Sequence, residues 1–204
     1  MVEAWTVLAF VPAALVLNLT PGADMLFCLG QGLRSGPRAA MMASAGISAG
    51  SMVHVTLAGL GLGALMAAHP MAFDVIRWLG VAYLLYLAAQ AFRAQGRARA
   101  SGPGLPAWHA FGRGFVVNLT NPKVILFVLA FIPQFVVPEA GPVILQFLLF
   151  GSILGLGGFI INALVGIFAA RIGQRPGRFS RAFGWISGGI FVALAARLAV
   201  LERA

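Results

Sequence analysis

Asp24 and Lys123 are the two residues whose type and setting most directly suggest chemistry. Each is a formal charge inside a long apolar run, and each stands just past a proline. A charge in hydrocarbon costs on the order of 2.5–3.5 kcal/mol on insertion scales, so such side chains pair with one another or serve a polar ligand. Asp24 lies ten residues before Arg34, and Lys123 lies ten after Arg113. At about 1.5 Å per helical residue, both fall roughly 15 Å from an arginine-marked boundary. That is near the middle of a hydrocarbon core roughly 30 Å thick. Opposite charges at equal depth suit a zwitterion, its carboxylate toward Lys123 and its ammonium toward Asp24. A static salt bridge between the two halves is the other reading open at this point.

The two charges close similar words. Asn18-Leu19-Thr20-Pro21 returns a hundred residues later as Asn118-Leu119-Thr120-Asn121-Pro122. A proline inside a helix removes one backbone bond, and Gly22 loosens the first site further. Irregular backbone at membrane depth is tolerated only where it lines a cavity or is buried in protein. Paired interrupted helices in two halves of a chain point to a transport site. The candidate binding residues are therefore Asn18, Thr20, Pro21, Gly22 and Asp24 in the first half, and Asn118, Thr120, Asn121, Pro122 and Lys123 in the second. A plain proline kink capped by its own threonine is the alternative. With its ordinary pKa near 6.5, His54 is a candidate proton relay together with Asp24, or else an interhelical hydrogen-bond partner. Gln134 and Asn162 are further polar residues at depth, explained as well by interhelical bonding.

The elements that position these residues follow from composition. Of the 204 residues 60 % are apolar and 9 % charged, with five acidic and fourteen basic side chains; a soluble domain has about 25 % charged residues. A soluble enzyme and a disordered tail are excluded. The basic residues fall in short gaps rather than on one face with aromatics, so nucleic acid is not the partner; the lipid bilayer is. A span needs roughly 20 apolar residues, and such runs occur over approximately 4–32, 39–68, 71–93, 111–137, 142–170 and 180–201. No positive region precedes the first run, which is too long for a cleavable signal.

The fold expected is an all-α integral membrane protein of six transmembrane helices. They form two inverted three-helix repeats, with helices 1 and 4 broken at proline. The chain is a single membrane domain over 1–204: repeat one 1–93, a linker 94–110 and repeat two 111–204. Gly46 and Gly50 match Gly151 and Gly155, and Trp78 and Gly80 match Trp185 and Gly188, in the same order as the Asn-Leu-Thr words. Three spans per unit force the second unit to enter the bilayer from the other side, the plan of many secondary transporters. Arginines crowd the first-to-second, third-to-fourth and fifth-to-sixth gaps, which places those gaps in the cytoplasm and both termini outside.

Absent chemistry narrows the field. There is no phosphate-binding loop to couple ATP, His54, His69 and His109 are far apart for a metal site, and Cys28 is the sole cysteine. No catalytic residue, metal or cofactor is expected, and a two-cysteine membrane redox carrier is rejected. A secondary exporter leads; a non-transporting scaffold subunit and a channel are the alternatives.

Longer stretches sharpen this. Thr20-Pro21-Gly22-Ala23-Asp24, with Gly36 and then Gly46, Gly50 and His54 downstream, is one. A second is Ala72-Phe73, Arg77 through Leu84 and Tyr86-Leu87. The most specific is Asn118-Leu119-Thr120-Asn121-Pro122-Lys123 followed by Phe131-Ile132-Pro133-Gln134-Phe135. Together they resemble the LysE/RhtB amino-acid exporter family from about residue 5 to 200. The resemblance implies export of amino acids or close derivatives (homoserine, its lactone, threonine, leucine, lysine) across the bacterial inner membrane. It also implies proton coupling, six spans and homodimers. Ala23 departs from the family, which usually has a second proline there, and this leaves the first break softer.

Overall fold

The first apolar run does not form one continuous helix. In the computed structural model of the chain, α1 spans Ala4–Leu19 and α2 spans Ala23–Ser35, with a 55° bend between them. The consecutive Pro21 and Gly22 separate them, whereas Pro12, alone within α1, does not interrupt it. After a glycine turn at Gly36 (φ +83°), α3 runs over Pro37–Ala68. The fourth run repeats the pattern. Its first half, α4, spans Ala107–Leu119 and its second, α5, spans Pro122–Ala130, and this pair is also bent by 55°. Short 3₁₀ turns at Ile132–Phe135 and Pro138–Ala140 lead to α6, Val143–Ile172. The fourth run begins four residues earlier than its apolar composition suggests, because extended Pro106 caps a first turn that takes in Trp108 and His109.

Residues 2–68 and 104–172 are described, with Val75, Trp78–Tyr83, Leu85, Tyr86, Ala88, Ala89, Gly189, Val192, Ala193, Ala195, Ala196 and Ala199. The expected spans 71–93 and 180–201 thus lie largely outside the described residues, as do most of the 94–110 linker and the Trp185–Gly188 match. Among the described residues the chain is helical throughout. Pro37–Gly61 and Val143–Arg171 are each long and apolar enough to cross a membrane, which gives two candidate spans among the described residues, or four where each bent pair is taken as one. This is a multi-pass membrane protein.

The helices approach through small residues, as packing in lipid favours. A Cβ on Gly32 would collide with the Gly166 carbonyl, joining α2 to α6, and one on Gly46 would collide with the Phe111 carbonyl, joining α3 to α4. Antiparallel α3 and α6 are tied by Ser44 Oγ donating to the Phe159 carbonyl (2.8 Å) and Ser48 Oγ to that of Gly155 (2.9 Å). Leucines 57, 60, 145 and 156 and tryptophans 5 and 108 face outward, as lipid-facing residues do.

The two ends differ in character. Arg34 and Arg38 flank the Gly36 turn, Gly104 packs on Ser35, and Gly166 sits beside Ala40. Arg113 and Arg171 therefore share that end. At the other end Phe10 meets Phe150 (4.9 Å) and Phe135 (5.2 Å), and Glu3 and Glu139 lie nearby.

Candidate functional site

Each break removes one four-residue backbone bond, and proline decides which. Pro21 has no N–H to give the carbonyl four residues back, that of Leu17; Pro122 likewise gives none to Asn118, whose carbonyl accepts instead from the Asn121 N–H at 2.9 Å. Both carbonyls have been met by a basic side chain from a different helix. Lys123 Nζ donates to Leu17 O at 3.1 Å and to Thr20 O at 2.9 Å. His54 Nε2 lies 3.3 Å from Asn118 O, which makes that nitrogen the donor.

The residues after the breaks occupy equivalent places. Gly22 caps α2 with Ala23 first and Asp24 second; Asn121 caps α5 with Pro122 first and Lys123 second. Ala23 thus takes the first helical position, which proline fills at the second break and where proline is at home. Asp24 suits the positive N-terminus of α2, and one of its oxygens, Oδ2, accepts from Asn118 Nδ2 at 3.0 Å. Lys123 sits at the unfavourable end of α5, but its side chain crosses to the negative C-terminus of α1. Each half therefore sends the residue after its break to the helix end before the other half's break.

Burial makes these contacts consequential. Asp24 is 6 % exposed, Lys123 8 % and Asn118 0 %. No ion pair joins Asp24 and Lys123: the carboxylate is held by Asn118 and the ammonium by backbone carbonyls. The static salt bridge that the sequence left open is therefore not formed. Three buried polar atoms beside the breaks have no partner: Asp24 Oδ1, Asn118 Oδ1 and Asn121 Nδ2. Two of them accept and one donates. Lys123 also borders a small recess together with Gly80 and Tyr83.

The other expected residues are placed differently. Asn18 turns away from Asp24, donating to the Leu154 carbonyl of α6 at 3.0 Å. Thr20 is buried and bonds back to Val16 O (2.7 Å), while Thr120 faces outward and bonds back to Val116 O. Pro21 and Pro122 are exposed at the bends, and Gly22 packs under the Lys123 ammonium, 3.1 Å from where its Cβ would stand. Asn121 accepts from the Lys123 N–H (3.0 Å). Gln134 bonds Ala130 O, with Oε1 unpartnered, and Asn162 is buried with Oδ1 unpartnered.

Sequence reading missed the carbonyls of Leu17 and Thr20 as ligands, since backbone groups have no side-chain signature. The missing N–H of Pro21 was the signal for Leu17. It also missed Gln31, fully buried and accepting from the Leu105 N–H, and Gln146, which clasps Val137 and Gly141. Gly157 and Gly158 of α6 pack against Asn18.

Comparison with known proteins identifies the family. The family model of the LysE type translocator matches residues 15–202. The homoserine/homoserine lactone efflux protein of Salmonella typhimurium is 33 % identical over 186 residues, covering 88 % of this chain and 83 % of the relative. The protein of the same description from Salmonella typhi gives the same figures. An uncharacterized membrane protein of Vibrio cholerae is 33 % identical over 184 residues, covering 88 % of this chain and 85 % of its own. No solved structure matches. The chain belongs to the LysE-type translocator family.

Proposed function

We propose that this protein is a secondary exporter of small amino acids of the homoserine type, working by alternating access at the site between its two broken helices. The observation that carries this reading is the crossed exchange at the breaks, where Asn118 holds Asp24 and Lys123 holds α1. A substrate α-ammonium is met by Asp24 Oδ1 and Asn118 Oδ1. A substrate carboxylate is met by Asn121 Nδ2 and the remaining N–H of Lys123. Homoserine and its lactone, which name the Salmonella relatives' substrates, share the α-ammonium but not the carboxylate. Asp24 is then the anchor common to both.

The same carboxylate supplies the coupling. A proton and an ammonium compete for it, so an entering proton releases the substrate and a departing proton readmits it. His54, on the Asn118 carbonyl, relays protons toward it. The motion is a rocking of two inverted repeats, supported by the equal 55° bends. It is also supported by matched packing, Asn118 on Gly50 and Asn18 on Gly157 and Gly158. The arginine end faces the cytoplasm of the inner membrane, with both termini outside.

The test is efflux from proteoliposomes loaded with a panel of amino acids under an imposed proton gradient. Homoserine is expected to leave faster than the basic and aromatic amino acids, and faster with the gradient than without. Correctly inserted protein that moves none of the panel would overturn the reading.

A further inference from the structure

Lys123 does more than wait for a substrate carboxylate. In transporters built on broken helices, carbonyls freed at a half-helix C-terminus hold the coupling Na⁺ or proton. Here the freed carbonyls are those of Leu17 and Thr20, at the negative end of α1, and an ammonium already occupies them at 3.1 and 2.9 Å. The lysine is buried, no carboxylate is in ion-pair contact with it, and its first helical turn is fixed by the Asn121 cap. Gly22 makes room for it: a Cβ there would stand 3.1 Å from Nζ and 3.3 Å from Cε.

We propose that Lys123 is a resident cation: its ammonium permanently fills the carbonyl site opened by the break in α1, where other broken-helix transporters bind a metal ion. It is a positioning residue that fastens α1 to α5, and it makes transport indifferent to Na⁺ and K⁺. The titratable groups around it are Asp24 on α2, His54 on α3 and Tyr83 beside the recess; α1 has none and α6 has only Arg171 at its far end. None of them supplies a second cation at the carbonyls.

The consequence for coupling rests on the transport reading, but the site itself is tested without transport. Purified, substrate-free Lys123→Ala is expected to unfold several degrees below the parent. Ethylammonium or propylammonium chloride is expected to raise its midpoint with concentration, as a ligand of the folded state does. Lys123→Met, whose side chain fills the same space without charge, is expected to be lowered too but to gain nothing from either amine beyond a choline chloride control. Equal response of the two variants, or none in Lys123→Ala, overturns the proposal. In proteoliposomes the parent is expected to export at the same rate, within about twofold, in sodium, potassium or choline medium; a tenfold dependence on Na⁺ overturns it as well. A parent that exports nothing refutes the transport reading and leaves the amine titration standing.

Discussion

The two breaks bend their helices by the same 55° with different chemistry. At the first, three residues intervene between the helices, the cap is a glycine with no side chain to bond, and a lysine from the other half takes the orphaned carbonyl. At the second, two residues intervene, Asn121 caps the next helix through its own side chain, Pro122 presets the first turn, and the Asn118 carbonyl meets both the Asn121 N–H and an imidazole. The second break is held by its own residues. The first is held chiefly from across the interface, so its geometry changes when that contact changes. The comparison makes the first break the one that depends on the other half, and the second the one that depends more on its own residues.

The largest effect is expected at Asp24. Asp24→Asn keeps size and hydrogen bonding but removes the charge that takes ammonium and proton alike. A hydrogen bond to a charged group contributes about 1.5–3 kcal/mol, or roughly 10- to 100-fold, and loss of proton exchange adds to it. Export of homoserine is expected to fall by about 100-fold with the protein still folded; export within about threefold of the parent would remove Asp24 from the mechanism. Its partner sharpens the contrast between halves. Asn118→Ala strands a buried carboxylate and is expected to cost far more export than Asn18→Ala, which forfeits only the bond to Leu154 O.

Next comes the cap. Asn121→Ala removes the bond to the Lys123 N–H, a change that costs about 1 kcal/mol at helix N-termini. It should lower the unfolding midpoint, and Asn121→Ser should restore most of it. Gly22→Ala removes no cap bond; it crowds the Lys123 ammonium instead. It is therefore expected to slow export severalfold with a smaller loss of stability than Asn121→Ala. The reverse order, with Gly22→Ala the more destabilising and the less harmful to export, would show that the first break is the rigid one.

The breaks were legible in the sequence because their cause is local: Pro21 with Gly22, and Asn121 with Pro122, disrupt a helix wherever they stand. The long helices α3 and α6 were legible for the same reason, their apolar length. What joins the halves was not. That Asp24 is held by Asn118 rather than by Lys123 depends on how four helix ends meet in space, and their equal depth alone left a shared ligand and a mutual pair both open. That Asn18 packs on Gly157 and Gly158 of α6 was not legible either. Such a facing is set by the crossing of α1 over α6, which no repeat in the text records.

The smallest effect discriminates most finely, because it concerns residues that the sequence makes identical. Thr20 and Thr120 occupy the same word and make the same back-bond, to Val16 O at 2.7 Å and to Val116 O at 3.0 Å. Only Thr20 is buried, at 4 % exposure, and only its carbonyl holds Lys123. Thr→Val keeps the shape and deletes the hydroxyl. At position 120 it exchanges an internally satisfied hydroxyl for a methyl on an outward face, and neither midpoint nor export is expected to move. At position 20 it loosens the last turn of α1, the turn whose carbonyls seat the ammonium. A drop of about 0.5–1.5 kcal/mol, the net worth of one hydrogen bond, is expected in stability, with a modest loss of export. Equal losses at both positions would mean that the two breaks are held alike; a loss at Thr120 alone would make the second break the one that depends on the other half.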